Sequence, residues 1–413
     1  MYGPPATLGS VLRHRPRTWL VRSVVLVLAV TAALVPVDPA LARAACKVEP
    51  NTDELTQEPW PLRRLRPDRV WPVTRGRGVV VAVVDSGVSE DHPALKGRVL
   101  PGRDFLVRGG DGKCDEFGHG TLIAGIIAGN EDEDSNFYGM APDAQILPVR
   151  VIRNDQKVQG DQYSDNIANG IRWAVENDAD VINLSVTTKP TAKLSDAIRY
   201  AFDHNVVIVA AVGNKQDLEE GRPPDLPKLD GYPAAYEDVI AVGAVDHWGQ
   251  YYADVSVKRL YIDLAAPGEA IAGPAPRGGG FAAKHGTSFA TAYVSGVAAL
   301  VRASRPDMPV DKVRQRINST ADPNPGGWND ELGQGVVNPY WAVFAIGAED
   351  EEPAPKVRVG LSAPAPDPMR GMRILAIWAA VISAAASLLL VTSVSVLRRG
   401  RSRRWRPGRP ANE

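Results

Sequence analysis

The sequence predicts an α/β fold, a parallel sheet with helices on both faces, followed by one C-terminal transmembrane helix. Three observations predict it. Apolar runs of strand length alternate with helical stretches between residues 79 and 346, the order of successive strand–helix–strand units. Those runs are continuously apolar, as in strands covered on both faces. Residues 374–397 carry no charge and are long enough to cross a bilayer.

With 413 residues the chain has the length for a large core, and its formal net charge of −1 gives no signal for a nucleic-acid partner. Two cysteines, Cys46 and Cys114, are too few for a disulfide framework or a thiolate metal site. The histidines are scattered, without the His-Glu-x-x-His spacing of a zinc protease. No metal and no cofactor is expected.

Taken in order, Arg13, Arg15, Arg17 and Arg22 precede the apolar run Val24–Val35, and Ala40-Leu41-Ala42 follows. A positive region, a short apolar run and a small-x-small site read as a secretory signal peptide over 1–42. The run falls short of the ~20 residues that a membrane span requires. Export places Cys46 and Cys114 in an oxidising compartment, either bridged or as two free thiols. A bridge would close a loop of about 68 residues, worth about 4 kcal/mol of unfolded-chain entropy. Residues 43–78 are polar and proline-punctuated, too short for a core of their own. They read as an extension lying on the main domain, with Trp60 and Trp71 as anchors.

The main domain, 79–346, opens with an apolar run from Val79 that ends in Asp85, a strand delivering a carboxylate to the edge of a sheet. Asp115-Glu-Phe-Gly118-His119-Gly120-Thr121 then sets a histidine at a glycine-rich helix entry, where small neighbours allow close approach. Strands are predicted over 145–152, 180–186, 206–214 and 239–245, with helices over 165–177 and 194–204 between them. His285-Gly286-Thr287-Ser288-Phe289-Ala290 enters a small, apolar helix, and a serine there is either a helix cap or a nucleophile. Asp85, Ser185 and Asn214 fall at strand ends, and His119 and Ser288 at helix starts facing the same edge. Sites in parallel sheets form at that edge. Beyond Ile346, residues 347–373 read as a charged, proline-rich linker. The span 374–397 follows, and then a basic tail, 398–413. The positive-inside rule puts that tail in the cytoplasm, so the domain stands outside the cell membrane on a single-pass anchor.

Three of these side chains can cooperate. Ser288 would attack a carbonyl, His119 would take its proton and pass it to the leaving group, and Asp85 would orient the imidazole and stabilise its charge. Asn214 would donate its amide N–H to the oxyanion of the transition state. The segments Val-Val-Asp85-Ser-Gly-Val, Gly118-His119-Gly120-Thr121, Ala-Val-Gly213-Asn214 and Gly286-Thr287-Ser288-Phe-Ala resemble, in order, the signatures of the subtilisin-like serine proteases. The resemblance implies a subtilisin-like fold and an endopeptidase acting on protein or peptide substrates, with Asp85, His119 and Ser288 as its triad and Asn214 in its oxyanion hole.

The layout of signal peptide, short extension, protease domain, linker, single helix and basic tail resembles the mycosins, membrane-anchored subtilases associated with type VII secretion systems. That likeness implies a Cys46–Cys114 disulfide holding the extension, and a secretion-system membrane complex as partner. It also admits a second role, a structural subunit for which proteolysis is dispensable. The substrate-binding segment departs from the secreted subtilisins: Ser185-Val186-Thr187-Thr188 replaces Ser-Leu-Gly-Gly. Side chains in place of glycines narrow the cleft, so a restricted substrate set is expected. Glu131-Asp-Glu-Asp134 reads as a solvated loop rather than a calcium site, and His92 and His285 as structural or rim residues. A lipase or esterase is a weak reading, since the Gly-x-Ser-x-Gly elbow and the Ser-Asp-His order of that class are absent around Ser288.

Overall fold

The structure is a computed structural model and describes residues 46–131, 136–153, 161–218, 231–347 and 370–402. The expected signal peptide, most of the linker, the tail beyond residue 402 and the acidic residues 132–134 lie outside the described residues. The chain divides into two units, with the boundary at Arg358.

In the first unit the central sheet orders its nine strands β10-β11-β7-β6-β5-β4-β1-β3-β2. These are β1 Val80–Asp85, β2 Arg103–Asp104, β3 Gln145–Arg150, β4 Val181–Leu184, β5 Val207–Ala211, β6 Ile240–Val245, β7 Leu264–Pro267, β10 Asp322–Pro323 and β11 Gly335–Val336. A separate hairpin pairs β8 Ile271–Pro274 with β9 Phe281–Lys284. All pairings in the large sheet are parallel except β10 with β11. The predicted strands are therefore present, each a residue or more shorter than its apolar run.

Helices cover both faces. On one lie α2 His119–Ala128 and α6 Thr287–Ser304; on the other lie α3 Asp161–Glu176 and α4 Ala192–Asp203. The alternation of side chains along β1 makes the division: Val81 and Val83 pack with Ile123, Ile127 and Val297, whereas Ala82 and Val84 pack with Ile167, Ile171 and Ile198. Helix α6 runs through the core because its small residues admit close neighbours; a Cβ on Gly296 would stand 2.4 Å from that of Met140. The domain closes through α7 Val310–Ser319 and α8 Pro339–Phe344. Arg316 of α7, fully buried, donates to the carbonyls of Ala342, Val343 and Ala345 and so pins α8.

The segment before β1 is attached by several kinds of contact. Asn51 exchanges backbone hydrogen bonds with Arg277 and Gly280, and Phe281 donates to Asp53. Leu62 and Leu65 of α1 (Trp60–Leu65) are buried in the core. The two expected anchors hold: Trp60 Nε1 donates to the Glu269 carbonyl at 2.8 Å, and Trp71 Nε1 to that of Met140 at 3.2 Å. Cys46 and Cys114 form a disulfide with their Cα atoms 5.5 Å apart.

In the second unit, α9 is a continuous helix over Arg370–Ser402, its side chains described in part. Among the described residues no helix is long and apolar enough to cross a membrane.

Candidate active site

The carboxyl edge of the sheet gathers the residues that the sequence placed there. Asp85 is the last residue of β1, Ser185 follows the end of β4, and Asn214 lies three residues beyond β5; His119 opens α2 and Ser288 is the second residue of α6. Gly286, not Ser288, occupies the N-cap position of α6, so the serine hydroxyl is not spent on capping. That removes the helix-cap alternative.

His119 Nδ1 lies 2.7 Å from Asp85 Oδ1. Asp85 is fully buried, accepts a second bond from the Ser86 N–H, and among the described residues leaves Oδ2 without a hydrogen-bond partner. The imidazole sits between aromatic rings, with Phe117 stacked at 5.8 Å and Phe289 tilted at 5.3 Å. Burial works against a charged ring, but the charge and hydrogen bond of Asp85 outweigh it and hold His119 above the ordinary histidine value. Such a ring accepts a proton readily, as a general base must.

A second carboxylate, which sequence reasoning quoted without assigning a role, fixes this arrangement. Asp115, fully buried, accepts from Ser86 Oγ at 2.8 Å, Thr121 Oγ1 at 2.6 Å, and the N–H groups of Phe117, Gly118 and Thr121 at 3.2, 2.7 and 2.8 Å. Ser86 Oγ in turn accepts from the Gly120 N–H at 3.0 Å. The network binds the end of β1 to the start of α2, and so Asp85 to His119. Gly120 is required because a Cβ there would stand 2.1 Å from the Gly87 carbonyl oxygen. Burial pushes the Asp115 carboxyl up, against the pull of its hydrogen bonds from Thr121, Ser86 and Gly118. The available signal was the short spacing from Asp115 to Gly118 and Thr121, which suits a side chain accepting from nearby backbone.

Ser288 Oγ donates to the Ser185 carbonyl at 3.2 Å, and Ser185 Oγ donates back to the Ser288 carbonyl at 2.8 Å. The Ser288 hydroxyl is thus directed at the Ser185 carbonyl, consistent with the loose nucleophile–base contacts of unliganded sites. Ser185 is thus buried and engaged in holding the nucleophile, as is Asn183, which donates to Ser185 Oγ at 2.9 Å. Val186 is buried too, and only Thr187 of the three expected substrate-binding residues is half exposed. Thr188 is braced from two sides, its N–H donating to the Tyr232 carbonyl at 2.7 Å and its hydroxyl meeting Ser164 Oγ at 2.6 Å.

Asn214 Oδ1 accepts from the N–H and hydroxyl of Thr287 at 3.0 and 3.1 Å, while Nδ2 donates to Asp217 Oδ2 at 3.1 Å. The Ser288 N–H, second in α6, has no carbonyl of its own helix to bond. The arrangement offers a carboxylate-oriented imidazole, a serine at a helix start and two N–H donors, the parts required for acyl transfer. His92 is structural as expected, its Nδ1 accepting from Ala94 N–H and its Nε2 meeting the Gly280 carbonyl. His285 lies at the rim, meeting the Tyr252 hydroxyl at 2.9 Å. Among the described residues no group of His, Cys, Asp and Glu is placed to hold a metal ion.

Comparison with known proteins extends this picture. Residues 76–335 match the model of the subtilase family. Mycosin-4 of Mycobacterium tuberculosis is 37% identical over 383 residues, covering 83% of this chain and 81% of that protein. The crystal structure of MycP1 from Mycobacterium smegmatis superposes with a TM-score of 0.64 at 30% identity, over 75% of this chain and 90% of that one. A chain of the intact ESX-5 inner membrane complex gives 0.63 at 30% identity, over 85% and 92% respectively. The chain belongs to the subtilase family of serine endopeptidases, in its mycosin branch.

Proposed function

We propose that the chain is a membrane-anchored serine endopeptidase of narrow specificity that works with a type VII secretion system and processes secreted protein substrates. Asp85, His119 and Ser288 are its triad, and Asn214 with the Ser288 N–H forms its oxyanion hole. The observation that carries the reading is the 2.7 Å bond between Asp85 and His119 at the sheet edge where Ser288 opens its helix. Ser288 Oγ attacks the scissile carbonyl as His119 Nε2 takes its proton; Asp85 holds the ring in the tautomer that leaves Nε2 free to accept. The tetrahedral oxyanion is met by Asn214 Nδ2, and His119 returns the proton to the leaving amine. Water then repeats the sequence on the acyl enzyme.

Narrow specificity is supported by Val186 and Thr187 in place of open backbone, and by the bracing of Thr188, which keeps that rim from yielding. Secretion-system association is supported by the mycosin relatives and by the likeness to a chain of an ESX-5 inner membrane complex. Anchoring rests on the uncharged stretch 374–397 and the arginines that follow it, with the protease domain outside the cell membrane.

The test compares wild type, Ser288→Ala and a full deletion in the native host, following the export and size of secreted proteins. A processing protease leaves a substrate exported but uncleaved in Ser288→Ala. If that variant matches wild type in both export and size while deletion blocks export, the protein acts as a structural subunit and proteolysis is not its main role.

A further inference from the structure

The oxyanion donor has a carboxylate for a neighbour. The Thr287 N–H can only donate, so the atom of Asn214 that it meets is the oxygen, and the amide nitrogen must face the other way. That nitrogen donates to Asp217, which stands on the short helix α5, Lys215–Leu218, with its own N–H bonded to the Asn214 carbonyl at 3.0 Å.

We propose that Asp217 is a positioning residue that restrains the reaction: it orients the Asn214 amide, and its charge opposes the oxyanion which that amide stabilises. The inference rests on the reading of Asn214 as the oxyanion donor. An oxyanion held by Nδ2 at the usual hydrogen-bond distance lies within about 6 Å of the Asp217 oxygen that shares the same nitrogen. Two negative charges at that separation repel. The scissile carbonyl of bound substrate is neutral, so the repulsion arises only as the transition state forms and acts on the chemical step rather than on binding. Because Asp217 is exposed, salt screens the effect. Removing the charge while keeping an acceptor for the Asn214 N–H therefore speeds the enzyme.

The test needs no knowledge of the substrate. A fluorophosphonate reacts with the serine of such sites: the oxygen attacks phosphorus, fluoride leaves, the proton passes to the histidine, and negative charge builds on the phosphoryl oxygen in the oxyanion hole. Labelling of Ser288 is timed in the full-length protein for wild type, Asp217→Asn, Asp217→Glu and Asn214→Ala at low and high salt. The expected result is labelling of Asp217→Asn about fivefold faster than wild type at low salt, a gap that narrows near 1 M salt. Asp217→Glu, which restores the charge, brings the rate back down. An Asp217→Asn variant no faster than wild type overturns the inference, as does an equally fast Asp217→Glu. If Asn214→Ala labels slowly while Asp217→Asn shows no gain, this inference alone fails. If Asn214→Ala labels as fast as wild type, the oxyanion reading falls and takes the inference with it.

Discussion

The two halves of the site are built to different standards. On one side, Asp85 and His119 are fixed by a buried network in which Asp115 alone accepts five hydrogen bonds, and two aromatic rings hold the imidazole. On the other, Asn214 is half-buried and Ser288 buried, each held by only a few bonds to neighbouring loop and helix atoms. The difference follows from their tasks. Proton transfer demands one geometry throughout the cycle, so rigidity costs nothing there. The nucleophile must exchange its bond to Ser185 for one to the base, and the oxyanion donor must meet a charge that exists only briefly, so both are held by fewer bonds.

Four measurements break or sharpen that contrast. The largest effect belongs to Ser288→Ala, for which the corresponding loss in subtilisin itself is about 10⁶ in kcat. Here peptide hydrolysis should fall on that scale while the melting temperature stays nearly put, since the hydroxyl makes a single long bond, to the Ser185 carbonyl at 3.2 Å. A large drop in melting temperature would place the hydroxyl among the rigid parts instead. Asn214→Ala comes next, with a loss of about 10²–10³ in kcat on the scale of the subtilisin oxyanion asparagine and little change in KM. A change confined to KM would make Asn214 a substrate-binding residue only.

On the rigid side, Asp115→Ala strands two hydroxyls and three N–H groups in the interior, and urea unfolding should show a loss on the order of 3 kcal/mol. Stability unchanged by that variant would show that the network is ornamental and that the contrast between the halves is false. The smallest effect is on pH. Protonation disables His119 as a base, and Asp85 holds its folded value above the ordinary 6.5. The acidic limb of kcat/KM should therefore have its midpoint above 6.5, and Asp85→Asn should move it down. A midpoint that ignores Asp85→Asn would mean that another group governs the limb.

The two halves were not equally legible in the sequence. Asp85 and His119 announced themselves by position, at the end of a six-residue apolar strand and the start of a glycine-rich helix. The helix of Ser288 was legible from its small residues, though its cap proved to be Gly286. The helix α3 begins four residues before its predicted start, and the signal for that first turn was Tyr163, four positions before Ile167 and packed against the same core cluster. For Ser185, expected to bind substrate, no local pattern could reveal that its side chain reaches across 103 positions of sequence to the Ser288 carbonyl.

What the sequence by itself determined is local: where strands end, where helices begin, which residues stand at those junctions, and the uncharged stretch at 374–397. These follow from periodicity, turn chemistry and hydropathy, each readable within a short window. Only the tertiary structure decided the partners. The sheet order sets β1 beside β4 and β4 beside β5, and that adjacency, absent from the chain order, brings Asp85, Ser185 and Asn214 to one edge. The same folding closes the Cys46–Cys114 bridge one residue from Asp115, buries that carboxylate among five donors, and turns the Asn214 amide toward Asp217. Hydrogen bonds are directional and reach about 3 Å, so which of them form is known only once distant segments have been packed against one another.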